Sequence, residues 1–303
     1  SCFHTNLAEL WRSKSAIILL FHIYNKYSLR SLNFAFLSIF RSLRQNHALI
    51  LQMAKREVIG RYKGSFLGLF WSLINPILML AVYTFVFSVV FKARLDQDSG
   101  LYDDKATFAL VLFAGLIIFN LFSECISRAS DLILTNVNYV KKIIFPLEIL
   151  PWVTLGSALF HAGISFSVLL AFLLITGHPI HWTVVFLPVV ILPLLLIIMG
   201  LMWLLTSIGV FVRDIGQFIS LVLTAMLFMS PIFYPASALP ESVRSYLFLN
   251  PLTFIIEQTR AIILVGNLPD WTGLAIYFIV ALFVASAGLA WFEKTRKGFA
   301  DVL

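Results

Sequence analysis

The sequence predicts an all-α integral membrane protein with six transmembrane helices. Its 303 residues are 60% hydrophobic and only 12% charged, whereas a soluble domain carries about 25% charged residues. The mean hydropathy is +0.93. Six apolar stretches reach the roughly 20 residues that a helix needs to cross a bilayer. These predicted spans are residues 66–91, 106–125, 149–176, 182–212, 215–240 and 271–292.

The distribution of basic residues predicts that both termini face the cytoplasm. Residues 1–63 contain ten Lys and Arg against two acidic residues, and further basic residues occur in 127–148 and 294–297. The segment 92–105 contains four Asp. Because Lys and Arg concentrate in cytoplasmic loops, we expect the acidic 92–105 loop and residues 236–270 to face outward. The net charge of +7 then reflects cytoplasmic loops and does not suggest nucleic-acid binding.

An N-terminal amphipathic interface helix is predicted at residues 46–63, before the first span. Basic side chains lie away from its apolar face, which suits a helix in the headgroup plane. The predicted apolar face consists of Leu51, Ala54, Val58 and Tyr62. Residues 1–45 are interpreted as an extension of unknown role, and residues 46–303 as the transmembrane domain.

Residues 237–270 depart from a plain helix bundle. They contain two short apolar pieces, 246–256 and 261–268, separated by Glu257 and Arg260. We predict two half-helices that dip into the membrane from the outer face and return to it. Irregular backbone at that depth must be buried against protein or line a water-filled path. A loop on the outer surface is the alternative.

A dense basic cluster directly precedes the first span. The sequence KREVIGRYKGSFLG of residues 55–68 combines basic side chains with glycines that allow a tight turn. Arg binds phosphate oxygens through paired donors, Lys adds a point charge, and hydroxyl groups add hydrogen bonds. This pattern favours a polyanion site at the membrane surface. Simple anchoring to anionic lipid headgroups is the alternative.

Several motifs in chain order resemble the membrane subunit of ABC-2 polysaccharide exporters. They are KREVIGRYKGSFLGLFWSLINP (55–76), NYVKKIIFPLEILP (138–151), GVFVRDIGQF (209–218), SPIFYP (230–235), LNPLTFIIEQTR (249–260) and FEKTRKGFADVL (292–303). The likeness extends over residues 46–303 and is greatest to Wzm-type O-antigen permeases, with teichoic acid and capsule permeases related. It implies an ABC transporter permease of the bacterial inner membrane that functions in lipopolysaccharide biosynthesis. It also implies that residues 237–270 form re-entrant periplasmic gate helices between spans five and six.

The resemblance also implies a homodimer paired with two copies of a separate ATPase. The chain has no G-x-x-x-x-G-K-[ST] phosphate loop, so we expect ATP and Mg²⁺ to bind the partner, and no catalytic residue, metal or cofactor on this chain. In the family, a cytoplasmic coupling helix sits in a cleft on the ATPase, and residues 131–148 match its place. A solvated basic loop is the alternative. The candidate coupling residues are Asn138, Tyr139, Lys141, Lys142, Phe145 and Pro146.

The implied substrate is a polysaccharide on an undecaprenyl pyrophosphate anchor, moved from the cytoplasm to the periplasm. Its pyrophosphate would lie at the lipid–water boundary beside the basic cluster. The candidate pyrophosphate ligands are Arg56, Arg61, Tyr62, Lys63, Ser65 and Gly68. A conduit for sugars is expected to use aromatic rings, which stack on the C–H faces of sugars. The candidate channel aromatics are Tyr83, Phe87, Phe228, Phe233 and Tyr234.

Three other functions are less well supported by the sequence. An ABC-2 exporter of teichoic acid, capsule, drugs or small lipids would have the same fold. A membrane glycosyltransferase or polymerase would need carboxylates for metal or base chemistry, and Glu124 is the only acidic residue within a predicted span. A secondary transporter usually shows internal repeats and charged or broken helices at the midplane, and the sequence shows neither.

Overall fold

A computed structural model describes residues 31–86, 105–140, 145–234, 247 and 250–303. Over these ranges the chain is helical and contains no β-strand, so the predicted all-α class is confirmed. Phe87, Lys141, Lys142 and nearly all of the acidic 92–105 loop lie outside the described residues, as do residues 237–246, 248 and 249 of the predicted gate region.

Eight helices of ten or more residues form the described part of the chain. They are α1 (Ser31–Arg61), α2 (Trp71–Phe85), α3 (Lys105–Ala129), α4 (Leu150–Ile175), α5 (Leu187–Phe211), α6 (Ile215–Met229), α7 (Pro251–Arg260) and α8 (Trp271–Thr295). Shorter helical turns adjoin them at Gly68–Phe70, Leu134–Asn136, Val137–Val140, Leu147–Ile149, Trp182–Phe186, Ala261–Val265, Arg296–Gly298 and Phe299–Val302.

Five segments of the described chain are long and apolar enough to cross a membrane. They are Gly68–Phe85, Thr107–Ala129, Leu147–Ile175, Trp182–Phe211 and Trp271–Gly298. These segments coincide with the predicted spans one to four and six.

The predicted span 215–240 is not one continuous helix. Helix α6 has 15 residues and ends at Met229. Ser230 is extended, with φ −88° and ψ 148°, because the residue before a proline, here Pro231, is disfavoured in the helical conformation. Fifteen helical residues rise about 22 Å, less than the roughly 30 Å of a bilayer core. A sixth crossing therefore stays a prediction.

Helix α1 is longer than predicted, and its buried face differs by one residue. It runs without a break across residue 46, the predicted start of the transmembrane domain. Ile50, Ala54 and Val58 are buried, whereas Leu51 is 67% exposed. Leu51 lies about 100° around the helix from Ile50 and therefore lies outside the face that packs against the protein, so its contact with the membrane stays a prediction. The location of α1 at the membrane surface stays a prediction.

Helix α3 lies at the centre of the fold. It packs against α2, α4, α5, α6 and α7, and its side chains at Leu110, Leu112 and Ile118 have no exposed surface. In a membrane such association depends on close van der Waals packing, since lipid tails are as apolar as the side chains. Helix α3 is therefore the scaffold from which the other helices are positioned.

Helices α5 and α8 form the closest helix pair. Gly200 of α5 and Gly288 of α8 face each other, and a Cβ added at either position would overlap the backbone of the other helix. Small residues at such a crossing allow two backbones to approach within direct contact. Nearby, Thr206 Oγ1 of α5 donates a hydrogen bond to the Ala129 carbonyl at 2.9 Å, which ties α5 to the end of α3.

The predicted separation of two half-helices at Glu257 and Arg260 is wrong. Helix α7 continues directly into the π-helical turn Ala261–Val265. The segment begins at Asn250, whose side chain accepts a hydrogen bond from the Leu252 N–H, and it ends at Gly266, where φ is +80°. It is buried against α3 and α5, as expected for irregular backbone within a membrane. Its depth in the bilayer stays a prediction.

Arg260 does not interrupt this segment because its side chain is turned into the protein. Its Nη1 and Nη2 donate to the Pro231 and Ile232 carbonyls at 2.6 and 2.9 Å, and its Nε donates to the Val111 carbonyl at 2.9 Å. A Cβ at Gly115 would lie 2.9 Å from the guanidinium. Arg260 therefore holds together α7, α3 and the turn that follows α6.

Candidate functional site

The basic cluster ends in the tight turn that its glycines predict. Helix α1 stops at Arg61, and the turn continues through hydrogen bonds from the Ser65 N–H to the Tyr62 carbonyl and from the Gly68 N–H to the Ser65 carbonyl, both at 3.2 Å. Gly64 and Gly68 have φ of +89° and +50°, a left-handed conformation that other residues rarely adopt. A Cβ at either glycine would have no atom of the chain within 4 Å. Glycine is therefore required at both positions because of the backbone conformation, and not because a side chain would clash.

Arg61, a predicted pyrophosphate ligand, is paired with a carboxylate of the same chain. Its Nη1 donates to Glu124 Oε1 on α3 at 2.5 Å. The Arg61 side chain is 43% exposed and the Glu124 side chain 17%. An acidic residue within a membrane helix is costly unless it is paired, so the guanidinium of Arg61 explains how Glu124 is tolerated near the end of α3.

His161 of α4 joins this pair to Tyr62. Its Nδ1 lies 3.2 and 3.3 Å from the two Glu124 carboxylate oxygens, and its Nε2 lies 3.2 Å from the Tyr62 hydroxyl. Burial, partly offset by the nearby Arg61 guanidinium, raises the pKa of Tyr62. Tyr62 therefore stays protonated, and its hydrogen bond with Nε2 holds the imidazole ring in place. Arg61 Nη1 also lies 3.0 Å from Nδ1, so Nδ1 faces both members of the ion pair. The result is a four-residue cluster of Tyr62, His161, Glu124 and Arg61.

A second ion pair lies beside this cluster. Glu57 of α1 accepts from Arg128 Nη1 of α3. Glu57 precedes Arg61 by one helical turn, and Arg128 follows Glu124 by one turn, so the two pairs stack with opposite signs. We call the Glu57–Arg128 and Arg61–Glu124 pairs the charge ladder. The charge ladder therefore connects α1 to α3 by two ion pairs, in addition to the packing of α1 against α4 and α8.

The remaining predicted pyrophosphate ligands do not converge on Arg61. Arg56 lines a cavity of about 630 Å³ between α1, the end of α3 and the start of α4, where Arg128 and Asp131 also contribute. Lys63 and Ser65 lie exposed on the turn after α1. The structure thus brings together Arg61 and Tyr62, places Lys63, Ser65 and Gly68 on the adjoining turn, and separates Arg56.

The predicted coupling segment adjoins the same cavity. Asn136 and Tyr139 line it. The rings of Tyr139 and Phe145 are stacked, with centroids 4.3 Å apart, and both pack against the hydrophobic core. Pro146 is extended and precedes the turn into α4, as its sequence position predicts. Asn138 is exposed.

Three of the predicted channel aromatics form one group at the end of α6. The Phe228 and Phe233 rings are stacked with centroids 5.9 Å apart, and the Tyr234 hydroxyl donates to the Phe228 carbonyl at 3.0 Å. Tyr83 lies apart from them on α2 and packs against the core. A channel role for any of these rings stays a prediction.

Reasoning from the sequence singled out Glu124 but did not identify His161. The available signal was a lone histidine in an otherwise apolar span, because an ionisable residue within a membrane helix usually has a partner. That signal does not identify the partners of His161, because they are distant in the sequence. Tyr62 is 99 residues away, Arg61 is 100 residues away and Glu124 is 37 residues away.

Comparison with known proteins places most of the chain in one family. Residues 48–264 match the ABC-2 type transporter family. The chain is 30% identical over 263 residues to the O-antigen export system permease protein RfbA of Myxococcus xanthus, covering 86% of this chain and 97% of that protein. It is 25% identical over 256 residues to RfbA of Klebsiella pneumoniae, covering 84% and 95%. It is also 25% identical over 252 residues to the polysialic acid transport protein KpsM of Escherichia coli, covering 80% and 91%.

Proposed function

Because this chain belongs to the ABC-2 type transporter family, we propose that it is the permease subunit of an ATP-driven polysaccharide exporter. Its substrate is a polysaccharide on an undecaprenyl pyrophosphate anchor, which it moves from the cytoplasm to the periplasm. The observation that carries this proposal is the similarity, over four fifths or more of the chain, to permeases named for O-antigen export and polysialic acid transport. The polysialic acid relative favours a capsule-type polymer as the second candidate cargo.

The geometry around Arg61 supports an anionic lipid anchor as the recognised group. Arg61 and Tyr62 are held at the point where α1 ends, and the glycine turn leads from there to the first span. The Arg61 side chain is 43% exposed and is therefore within reach of a headgroup, and its guanidinium offers paired donors that match phosphate oxygens. We assign the pyrophosphate to this surface, on the cytoplasmic side.

We propose that two copies of this chain assemble with two copies of a separate ATPase. Helix α6 exposes Gln217, Ser220 and Thr224 on one face. The Ser220 and Thr224 hydroxyls each donate to a carbonyl of the same helix, and a polar face of this kind in a membrane protein usually faces protein or a water-filled cavity. We infer that this face contacts a second copy of the chain or lines the polysaccharide path between two copies.

The first prediction concerns the division of labour between the subunits. The purified chain alone is expected to hydrolyse no ATP, and hydrolysis is expected to appear when the chain is co-purified with its ATPase. Replacing Lys141 and Lys142 with Glu should weaken this association, because the coupling segment is proposed to bind the ATPase through these two charges. The reversal Lys297→Glu, in the C-terminal tail, is the matched control and should preserve co-purification. Hydrolysis by the isolated chain at a level comparable to that of the complex would exclude this assignment.

The second prediction concerns orientation in the membrane. In a background without Cys2 and Cys125, a cysteine at Asp98 should react with an impermeant thiol reagent added to intact cells. A cysteine at Lys297 should react only after permeabilisation, because both termini are proposed to be cytoplasmic. The reverse pattern would move the Arg61 surface to the outside and contradict the proposed direction of transport.

A further inference from the structure

The charge ladder contains a feature that phosphate binding alone does not explain. Arg61, the residue best placed to meet a substrate phosphate, already has an anion on its guanidinium, the carboxylate of Glu124 at 2.5 Å. Within the described chain, Arg61 contacts both Glu124 and His161 through Nη1. A phosphate that approaches Arg61 therefore meets an internal competitor of the same sign.

We propose that Glu124 occupies, in the resting chain, the position on Arg61 that a substrate phosphate oxygen takes, so that substrate binding is an exchange of carboxylate for phosphate. This inference rests on the proposed function, since it takes a lipid-linked diphosphate as the incoming anion. Glu124 is thus a positioning residue that sets how tightly Arg61 holds an anionic headgroup.

The exposure of the two side chains allows such an exchange. Arg61 is 43% exposed, so a headgroup can reach its guanidinium, whereas Glu124 is only 17% exposed and is held on the central helix α3. A diphosphate carries more charge than one carboxylate and accepts paired hydrogen bonds from a guanidinium. It can therefore displace Glu124, while a headgroup with a single charge competes less well.

His161 provides the partner that Glu124 needs once Arg61 has turned away. Its Nδ1 lies within 3.3 Å of both Glu124 oxygens, and Tyr62 holds the ring from its other nitrogen at 3.2 Å. After the exchange the carboxylate would keep a hydrogen bond instead of remaining as an isolated charge beside the membrane. The Glu57–Arg128 pair and the packing of α1 against α4 and α8 do not involve Arg61, so they can persist while the Arg61–Glu124 pair opens.

The variant Glu124→Gln tests the exchange because it removes the competing charge and keeps the side-chain shape. The complex of this chain with its ATPase is placed in nanodiscs of phosphatidylcholine, and binding of radiolabelled farnesyl diphosphate is measured, with farnesol as the control for the lipid tail. We expect Glu124→Gln to tighten binding of the diphosphate about two- to fivefold, the effect of removing one partly exposed ion pair. The matched control Glu57→Gln breaks the other rung and should leave the affinity unchanged.

A double substitution assigns the effect to Arg61. Adding Glu124→Gln to Arg61→Ala should change the affinity no further, since no guanidinium is left for Glu124 to occupy. Should Glu124→Gln fail to assemble, Glu124→Asp retracts the carboxylate by one methylene and should shift the affinity in the same direction by less.

The outcomes separate the inference from the proposed function. Weaker or unchanged diphosphate binding in Glu124→Gln, with clear binding by the unmodified complex, would overturn the exchange and leave the exporter assignment intact. Binding that tightens equally in Glu57→Gln would also overturn it, because the effect would not be specific to Arg61. If the unmodified complex prefers farnesyl diphosphate no more than farnesol, both the diphosphate site and the exchange are refuted, while export remains open to a direct assay.

Discussion

Gly288→Val should abolish the accumulation of folded protein. A Cβ at Gly288 would overlap the backbone of Gly200 on the facing helix, and helix backbone cannot move aside as the end of a flexible side chain can. Overpacking against side chains typically costs about 1–3 kcal/mol. Here the obstacle is backbone, so we expect a cost of at least about 3 kcal/mol, a large part of the roughly 5–15 kcal/mol that stabilises a typical protein.

The measurement is the yield of monodisperse protein in size-exclusion chromatography after detergent extraction, together with its thermal unfolding midpoint. Gly163→Val is the matched control, because Gly163 also lies inside a helix but has no atom within 4 Å of an added Cβ. The control makes the same Gly-to-Val change inside a helix, but without the overlap. Equal yields and unfolding midpoints for the two variants would show that α5 and α8 do not pack as closely as described.

Arg61→Ala should cause the largest loss of export among substitutions that leave the fold intact. A hydrogen bond to a charged group contributes about 1.5–3 kcal/mol, and because Arg61 is 43% exposed we expect the lower end of this range. Export should therefore fall about tenfold, while membrane insertion and co-purification with the ATPase persist. Arg61→Lys should restore export only in part, since the paired donors of the guanidinium are lost. The readout is surface polysaccharide resolved by gel electrophoresis.

Arg128→Ala is the control for the structural contribution of the charge ladder. Arg61 and Arg128 each form one ion pair between α1 and α3, so their removal should weaken the helix contact similarly. If Arg61 serves only to anchor α1, Arg61→Ala and Arg128→Ala should reduce export alike, and Arg61→Lys should be normal. Full surface polysaccharide in Arg61→Lys would thus eliminate Arg61 as a phosphate ligand.

The membrane-spanning helices could be predicted because runs of about 20 apolar residues leave few alternatives to a helix across a bilayer. Where the prediction failed, a local feature of the sequence or of the packing determined the structure. Ser230 before Pro231 ends α6 early, although both residues lie inside the apolar run that suggested a span to residue 240. On α1, Ile50 and Leu51 are both apolar, and only packing against α4 selects Ile50 for burial.

Some residues of the candidate site could be predicted from the sequence, but their arrangement in space could not. The basic cluster and its glycine turn were visible in the sequence, and the turn is confirmed. The helical period already separates Arg56 from Arg61 by about 140°, which explains why Arg56 lines the cavity instead of joining Arg61. The contacts with Glu124 and His161 come from elements far apart in the chain, so only the tertiary structure brings them together.

The proposal that this chain exports polysaccharide on a lipid diphosphate is tested most directly by mass spectrometry of lipid-linked glycans. The glycans are extracted from cells that lack the chain, from cells that carry it, and from cells that carry Arg61→Ala. We expect long glycans on a polyprenyl diphosphate to accumulate when the chain is absent, to accumulate to a lesser degree with Arg61→Ala, and to return to a low level with the unmodified chain. Normal surface polysaccharide and no accumulated lipid-linked glycan in cells that lack the chain would contradict the proposed function.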